Sequence, residues 1–504
     1  MKLQQSPRRK ACVVIAFMLT CIMAAFGQEK PKLHIDWNKT LIVSRSTPTL
    51  QVVTNPMLNP GAPIHDGSFS ALKDLGADYV RYVPWLPYPK IAVAELDPPT
   101  KDKTSWDFTY IDPVTKDFLN ATSGHSTVIN FSTIPAWMFK TDKPVQYPAD
   151  PNEVFWNYTQ GTQLRDPSGK ELGDYFARLV SWYTRGGFTD ENGKHHESGY
   201  HYTFPYWEVL NEVEAEHSTT PEDYTLRYDA IVSAIHKVSP NTKFMGLALA
   251  APRDNPRFFE YFLDHKHHKP GIPLDYISFH FYATPEEGED LNTWQYSFFD
   301  QADGFLSATR YILAIRDRLS SETKIDTDEL GVILPNDNAE SSDARLTFNR
   351  IPQRYWNAAG ALYAYLYVEL AQLGVDVIGE SQLVGYPSQY PSVSMINFKT
   401  GKPNARYWVL RMIKDNFHPG DKLVASDSNT ADVIAQGFDT PQGRKVMLIN
   451  KSNSEKTVAL NFDFENASSL TIDEQTGDDA PRTGKASGQL TLAPYAVTIL
   501  TARQ

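Results

Sequence analysis

Between residues 41 and 416 the sequence switches hydrophobic period repeatedly, from short apolar runs suited to strands to longer amphipathic runs suited to helices. Strand-like runs cover 41–53, 79–83, 126–131, 204–210, 243–249, 275–282, 324–328 and 375–379. Helical patterns sit between and after them, over 68–75, 172–183, 221–238, 257–264, 301–319, 355–373 and 404–416. Eight strands, each followed by a helix or a long loop, predict an α/β fold of the (β/α)8 TIM-barrel kind. The pattern is weakest over 84–124, where the second connection is long and Pro-rich.

Past about residue 420 the pattern changes. Short strand-like runs at 433–438, 445–449, 457–462, 469–473, 489–492 and 496–501 are separated by Asn, Asp, Gly and Ser turns, with no helical run among them. The expected organisation is a barrel over 28–420 and a C-terminal β-sandwich over 421–504. Residues 32–36 are a candidate strand that crosses over to pair with that sandwich.

The N-terminus bears on compartment. Arg8-Arg9-Lys10 precede an apolar run from Ala11 to Phe26, and Ala25-Phe26-Gly27 supplies small residues before Gln28. Residues 1–27 are therefore expected to be a removed signal peptide, giving a secreted or periplasmic protein without stable membrane insertion. The apolar run is short for a membrane span, which needs about 20 residues. Cys12 and Cys21 both lie in this segment, so the mature chain would hold no thiol and no thiolate metal site. Removing Lys2, Arg8, Arg9 and Lys10 takes the formal charge from -12 to -16, since -12 - 4 = -16. So acidic a chain is a poor nucleic-acid binder.

Two acidic residues 117 positions apart carry the functional signal: Glu212, closing Tyr206-Trp207-Glu208-Val209-Leu210-Asn211-Glu212, and Glu329, in Lys324-Ile325-Asp326-Thr327-Asp328-Glu329. In a closed barrel, residues at the C-terminal ends of different strands face one cleft, so distant carboxylates meet. Paired carboxylates are the machinery of glycosidic bond cleavage. An Asn-Glu pair alone means little, because Asn152-Glu153 sits in a loop with no strand before it. Asn211-Glu212 differs in having an apolar strand before it and an amphipathic helix after it.

The ordered segments Leu72-Lys73-Asp74-Leu75-Gly76-Ala77-Asp78-Tyr79-Val80-Arg81, Trp106-Asp107-Phe108, Ile134-Pro135-Ala136-Trp137, Asn211-Glu212, Ser278-Phe279-His280-Phe281-Tyr282, the Glu329 strand and Gly401-Lys402-Pro403-Asn404-Ala405-Arg406-Tyr407-Trp408 resemble retaining glycoside hydrolases of clan A. Within the clan they are most similar to family 39, which holds β-xylosidases and α-L-iduronidases. The resemblance spans nearly the whole mature chain. It departs where the family commonly has Trp-Asn-Glu-Pro, here Leu210-Asn211-Glu212-Val213, and Thr-Glu, here Asp328-Glu329.

The resemblance implies double displacement, with Glu212 protonating the leaving oxygen and later serving as base. Glu329 would attack the anomeric carbon from the opposite face. Asp328 is its rival: adjacent side chains on a strand face opposite ways, so only one of the two is expected in the cleft. Arg81 is a candidate for holding the nucleophile ionised, or else a buried barrel ion pair. Asn211 suits a sugar 2-hydroxyl. His280 and Tyr282 alternate on one face of the sixth strand and suit a hydroxyl contact and a hydrogen bond to Glu329, with barrel packing as the alternative. Trp137 is a candidate stacking platform or a lid on the core, and Glu380 a hydroxyl ligand or a structural ion pair.

His195-His196-Glu197 with His201 lacks the spacing that places two ligands on one helical face, and His265-Lys266-His267-His268 lies in a charged loop. No metal or cofactor is expected. Phosphate-cradling Gly-rich loops and a Gly-x-Ser-x-Gly elbow are absent from the sequence. Two functions remain: an exported glycosidase, β-xylosidase-like or uronidase-like, acting on oligo- or polysaccharide, or a catalytically silent carbohydrate-binding protein on the same scaffold. A silent relative would be expected to have lost one of the two carboxylates.

Overall fold

The computed structural model describes residues 32–155, 161–216, 218–338, 351–386, 390–460, 464 and 466–502. The expected signal peptide lies outside the described residues. Among those residues no helix is long and apolar enough to cross a membrane.

Eight parallel strands close a barrel in chain order: Thr47–Val53, Val80–Val83, Thr127–Ile129, Tyr206–Glu208, Lys243–Leu249, Tyr276–Ala283, Lys324–Val332 and Val377–Glu380, the last pairing with the first. The seventh strand is buried at every position after Lys324, as expected of a parallel strand with helices over its outer face. The helices follow from local chemistry. Pro221–Val238 has Thr220 as N-cap, its side chain accepting from the Asp223 N–H, with Pro221 at the first position and Glu222 and Asp223 in the positive first turn. Gln353–Leu373 stops at Gly374, which takes a left-handed φ of 78°.

The structure fills in one weak stretch and corrects one expectation. The Pro-rich second connection contains a helix, Ile111–Ala121, burying Ile111, Val114, Thr115, Phe118 and Leu119 on one face. Its Pro113 falls in the first turn, where the ring displaces no intrahelical hydrogen bond. The run 41–53 is two strands rather than one. Val43 ends a strand outside the barrel, and Ser44-Arg45-Ser46 turn the chain, the Ser44 N–H donating to the Asp421 carbonyl at 2.8 Å and the Ser46 hydroxyl to the Val375 carbonyl at 2.6 Å.

That outer strand, His34–Val43, pairs antiparallel with Lys422–Asp427 and opens a seven-stranded sheet. The order continues through Val433–Thr440, Gly443–Asn450, Val497–Thr501, Ser468–Ile472 and Arg482–Lys485. A two-stranded sheet, Lys456–Ala459 with Gln489–Leu492, completes the sandwich. The end of the run expected over 457–462 lies outside the described residues.

The large sheet is buried on both faces by period-2 alternation. Val446, Leu448 and Leu500 pack between the sheets with Val458 and Phe464. Met447, Ile449, Val497 and Ile499 belong instead to the apolar cluster that includes Leu366, Leu410 and Met412 of the barrel helices Gln353–Leu373 and Ala405–Asn416. Gln372 donates to Gln436 across this boundary at 2.8 Å, and the Phe417 and Phe438 rings lie 4.0 Å apart.

Candidate active site

The seventh strand is out of step with its neighbour. Asp326 lies opposite Ser278 and Glu329 opposite His280, so three steps on one strand match two on the other. The same slip recurs against the eighth strand, between Thr327 and Leu330. Such a bulge rotates the residues after it onto the face of those before it. Asp328 and Glu329 are therefore both directed inward, 2% and 7% exposed, rather than opposed as simple alternation requires. Glu329 is not the strand's last residue either, since pairing continues to Val332.

Arg81, on the second strand and 1% exposed, joins these acids. Its Nη1 lies 2.5 Å from Glu329 Oε1 and 2.7 Å from Gln51 Oε1, and its Nε lies 2.5 Å from Glu208 Oε2 and 3.0 Å from Asp328 Oδ2. Nη2 donates to Asn211 Oδ1 at 2.7 Å. The contact with Glu329 is thus one prong of a shared fork, not a bidentate pair. Burial raises the pKa of Glu208 to about 7 against the pull of Arg81. Burial also raises that of Asp328, but Arg81 and His280 outweigh it and hold the group at about 2. Tyr282 donates to Glu329 Oε2 at 2.6 Å, so Glu329 receives a donor on each oxygen.

Glu212 arrives by a different route. The fourth strand ends at Glu208, and Leu210 and Glu212 then take left-handed φ values of 66° and 43°. Each such residue costs about 1–2 kcal/mol. The turn is held by the Glu212 N–H on the Ala248 carbonyl at 2.9 Å and by Asn130 Nδ2 on the Leu210 carbonyl at 2.9 Å. The Glu212 side chain is 23% exposed, against 9% for Glu329. His280 Nδ1 lies 3.2 Å from Glu212 Oε1 and 3.6 Å from Glu329 Oε2. One oxygen of each glutamate and a His280 nitrogen all fall within 4.8 Å of one another.

That trio has the dimensions of a metal site, and its members face one another through His280. Burial lowers the His280 pKa, but Glu329 and Asp328 outweigh it and raise it well above the usual imidazole value.

The cleft above the pair has a cavity volume of about 110 Å³ and is lined by Gln51, Trp85, Asn211, Glu212, Tyr282, Glu329, Gln382, Tyr386 and Tyr390, with Val53, Val83, Ile333 and Val393 as apolar walls. Three sequence candidates sit elsewhere. His280, 1% exposed, lies beneath the two carboxylates rather than at the surface a sugar would touch. Trp137 donates its indole N–H to the Glu95 carbonyl at 2.8 Å and is covered by the Arg165 guanidinium at 4.3 Å, because the chain after the third strand turns toward the Glu95 loop. Glu380 is fully buried against Arg406 of the last barrel helix at 2.9 Å, and burial raises its pKa to about 8. It is a structural partner of Arg406 and not part of the cleft lining.

Sequence reasoning passed over Trp85, whose ring stacks on Tyr386 at 5.7 Å and 29°. The signal was available: Trp85 stands two residues beyond the second strand, at the end that faces the cleft. Asn211 lines the cleft, its Oδ1 taken by Arg81 and its Nδ2 donating to Glu216 Oε1 at 3.1 Å.

Residues 431–500 match the family described as D-apionate lactonase, C-terminal immunoglobulin-like domain. A sequence search of curated proteins returns no match. Among solved structures, the chain is similar to a family 51 α-L-arabinofuranosidase from Bifidobacterium longum, with a TM-score of 0.62 and 11% identity, over 94% of this chain and 100% of that one. A GH51 arabinofuranosidase from Xanthomonas axonopodis pv. citri gives 0.61 and 13% over the same shares. A GH30 endoxylanase from Clostridium papyrosolvens gives 0.53 and 13%, again over 94% and 100%. The barrel with its C-terminal sandwich is thus a fold shared with glycoside hydrolases of families 51 and 30.

Proposed function

We propose that this chain is an exported retaining glycoside hydrolase in which Glu212 is the acid/base and Glu329 the nucleophile. The observation that carries the reading is the short separation of the two carboxylates, an oxygen of each lying within 4.8 Å. Double displacement needs carboxyl groups about 5–5.5 Å apart, whereas inversion needs about 6.5–9.5 Å to admit a water. The asymmetry of their partners supports the roles. Glu329, buried with Arg81 and Tyr282 donating to it, is oriented for attack; Glu212, more exposed to the cleft, is placed to exchange a proton with a leaving group.

Trp85 and Tyr386 offer aromatic faces to the apolar side of a sugar ring. The motif likeness to family 39 points to xylosides or uronides, and the fold neighbours add arabinofuranosides and xylans as substrates to test. The test is a panel of aryl glycosides with Glu329→Ala as control. Loss of all turnover in that variant, with azide restoring product of inverted configuration, supports the assignment. Full activity in Glu329→Ala removes it.

The match over 431–500 favours a second reading, hydrolysis of a sugar lactone in the same cleft. Aldonolactones assayed beside the aryl glycosides separate the two, because a lactonase would open the ester and leave every acetal intact.

A further inference from the structure

Glu216 is a carboxyl beside the cleft with no part in the chemistry above. It lies in the short helix Val213–Glu216 that follows Glu212, and a single oxygen, Oε1, accepts two N–H donors: the Trp85 indole at 2.6 Å and Asn211 Nδ2 at 3.1 Å. Asn211 is gripped from both ends, since its Oδ1 takes the Arg81 Nη2 hydrogen at 2.7 Å. A continuous chain of hydrogen bonds therefore runs from Glu329 through Arg81, Asn211 and Glu216 to Trp85. It joins the attacking group to the aromatic wall.

We propose that Glu216 is a positioning residue: through Oε1 it fixes the Asn211 amide and the Trp85 ring in the orientation a sugar meets. Glu216 is outside the cleft lining, so it acts through those two side chains and not on the reacting atoms. Desolvation, with the nearby charge of Glu212, raises its pKa well above the usual carboxylate range. The neutral acid still offers Oε1 to both donors while its other oxygen carries the proton. A third negative charge beside the catalytic pair is thereby avoided. The geometry requires an acceptor at Oε1 and no charge, which makes Gln the faithful substitute and Ala the disruptive one.

The proposal rests on the glycosidase reading for its kinetic arm only. In that arm, Glu216→Ala should lower kcat/KM by roughly 10- to 100-fold, mostly through KM, as expected when a binding side chain drifts by about 1 Å. Glu216→Gln should recover most of that loss, with the pH profile unchanged in shape. The second arm needs no substrate. The Trp85 indole N–H resonance, identified by its disappearance in Trp85→Phe, should move in Glu216→Ala and stay near its wild-type position in Glu216→Gln. If the wild type cleaves no glycoside, the glycosidase reading fails while the resonance still decides the role of Glu216. An unmoved Trp85 resonance in Glu216→Ala overturns the proposal. So does a Gln variant as inactive as Ala that has lost one limb of the pH profile, which would make Glu216 a proton donor instead.

Discussion

Replacing Arg81 by Met would strip the direct partner from Glu208, Asp328 and Glu329 inside the barrel and leave His280 as their nearest remaining cationic partner among the described residues. Asp328 gives the order of magnitude of the cost. Its carboxyl is held at about 2 rather than 3.8, chiefly by Arg81 once burial has been overcome, and a shift of that size corresponds to about 2 kcal/mol. Stranding Glu208 and Glu329 as well brings the loss to about 3–5 kcal/mol, the range for breaking a buried ion pair from one side.

The pH dependence has a definite sign. In the wild type, the Asp328 contribution is complete above its unfolded pKa near 4 and fades only as pH falls through about 2, so it is constant between pH 5 and 8. In the variant, burial without Arg81 raises the Asp328 pKa above its unfolded value and lifts Glu208 further above the value of about 7 that it has in the wild type. The folded form then binds the extra protons, and its stability falls as pH rises. Thermal unfolding followed by circular dichroism should show the largest gap from wild type at pH 8 and a smaller one at pH 5. Equal gaps at the two pH values, or wild-type stability at pH 8, would refute the view that Arg81 neutralises this cluster.

Other outcomes follow from single contacts. Tyr282→Phe removes the donor on Glu329 Oε2 and should reduce kcat by roughly 10- to 100-fold, the worth of one hydrogen bond to a charged group, measured under substrate saturation. Glu212→Gln should still cleave aryl glycosides with activated leaving groups far better than alkyl glycosides, because only the latter need the proton. Equal losses on both, in pre-steady-state measurements, would argue against Glu212 as acid. A chain ending near Pro419 should be insoluble or inactive, since it strips Met447, Ile449, Val497 and Ile499 from the barrel helices and bares the apolar surface they cover. Recovery of a soluble, fully active truncation would contradict the two-faced burial of the large sheet.

Much of the fold was legible because apolar period and turn chemistry act locally. Thr220-Pro221 announced the start of its helix, and each of the eight barrel strands overlaps a strand-like run. Boundaries failed where tertiary pairing decides them. Nothing in Leu41 to Val53 reveals that Ile42 pairs with Leu423 while Thr47 pairs with Val377. At the site, Glu212, Glu329 and the Tyr282 contact were readable from strand position. The inward turn of Asp328 was not, because a bulge is a mismatch between two strands and one strand's sequence cannot display it. Trp137 and Trp85 show the same limit: both follow barrel strands, and only the paths of the connections decide which ring meets the cleft and which is capped by an arginine.

The strand His34–Val43 also governs the order in which the molecule can assemble. It precedes the barrel in sequence, its hydrogen-bonding partner Lys422–Asp427 follows it, and the whole barrel is threaded between them. Contacts of such sequence separation close late and slow the search for the native topology. This strand cannot pair until Lys422–Asp427 has been made, so its pairing ties the segment before the barrel to the segment that follows it.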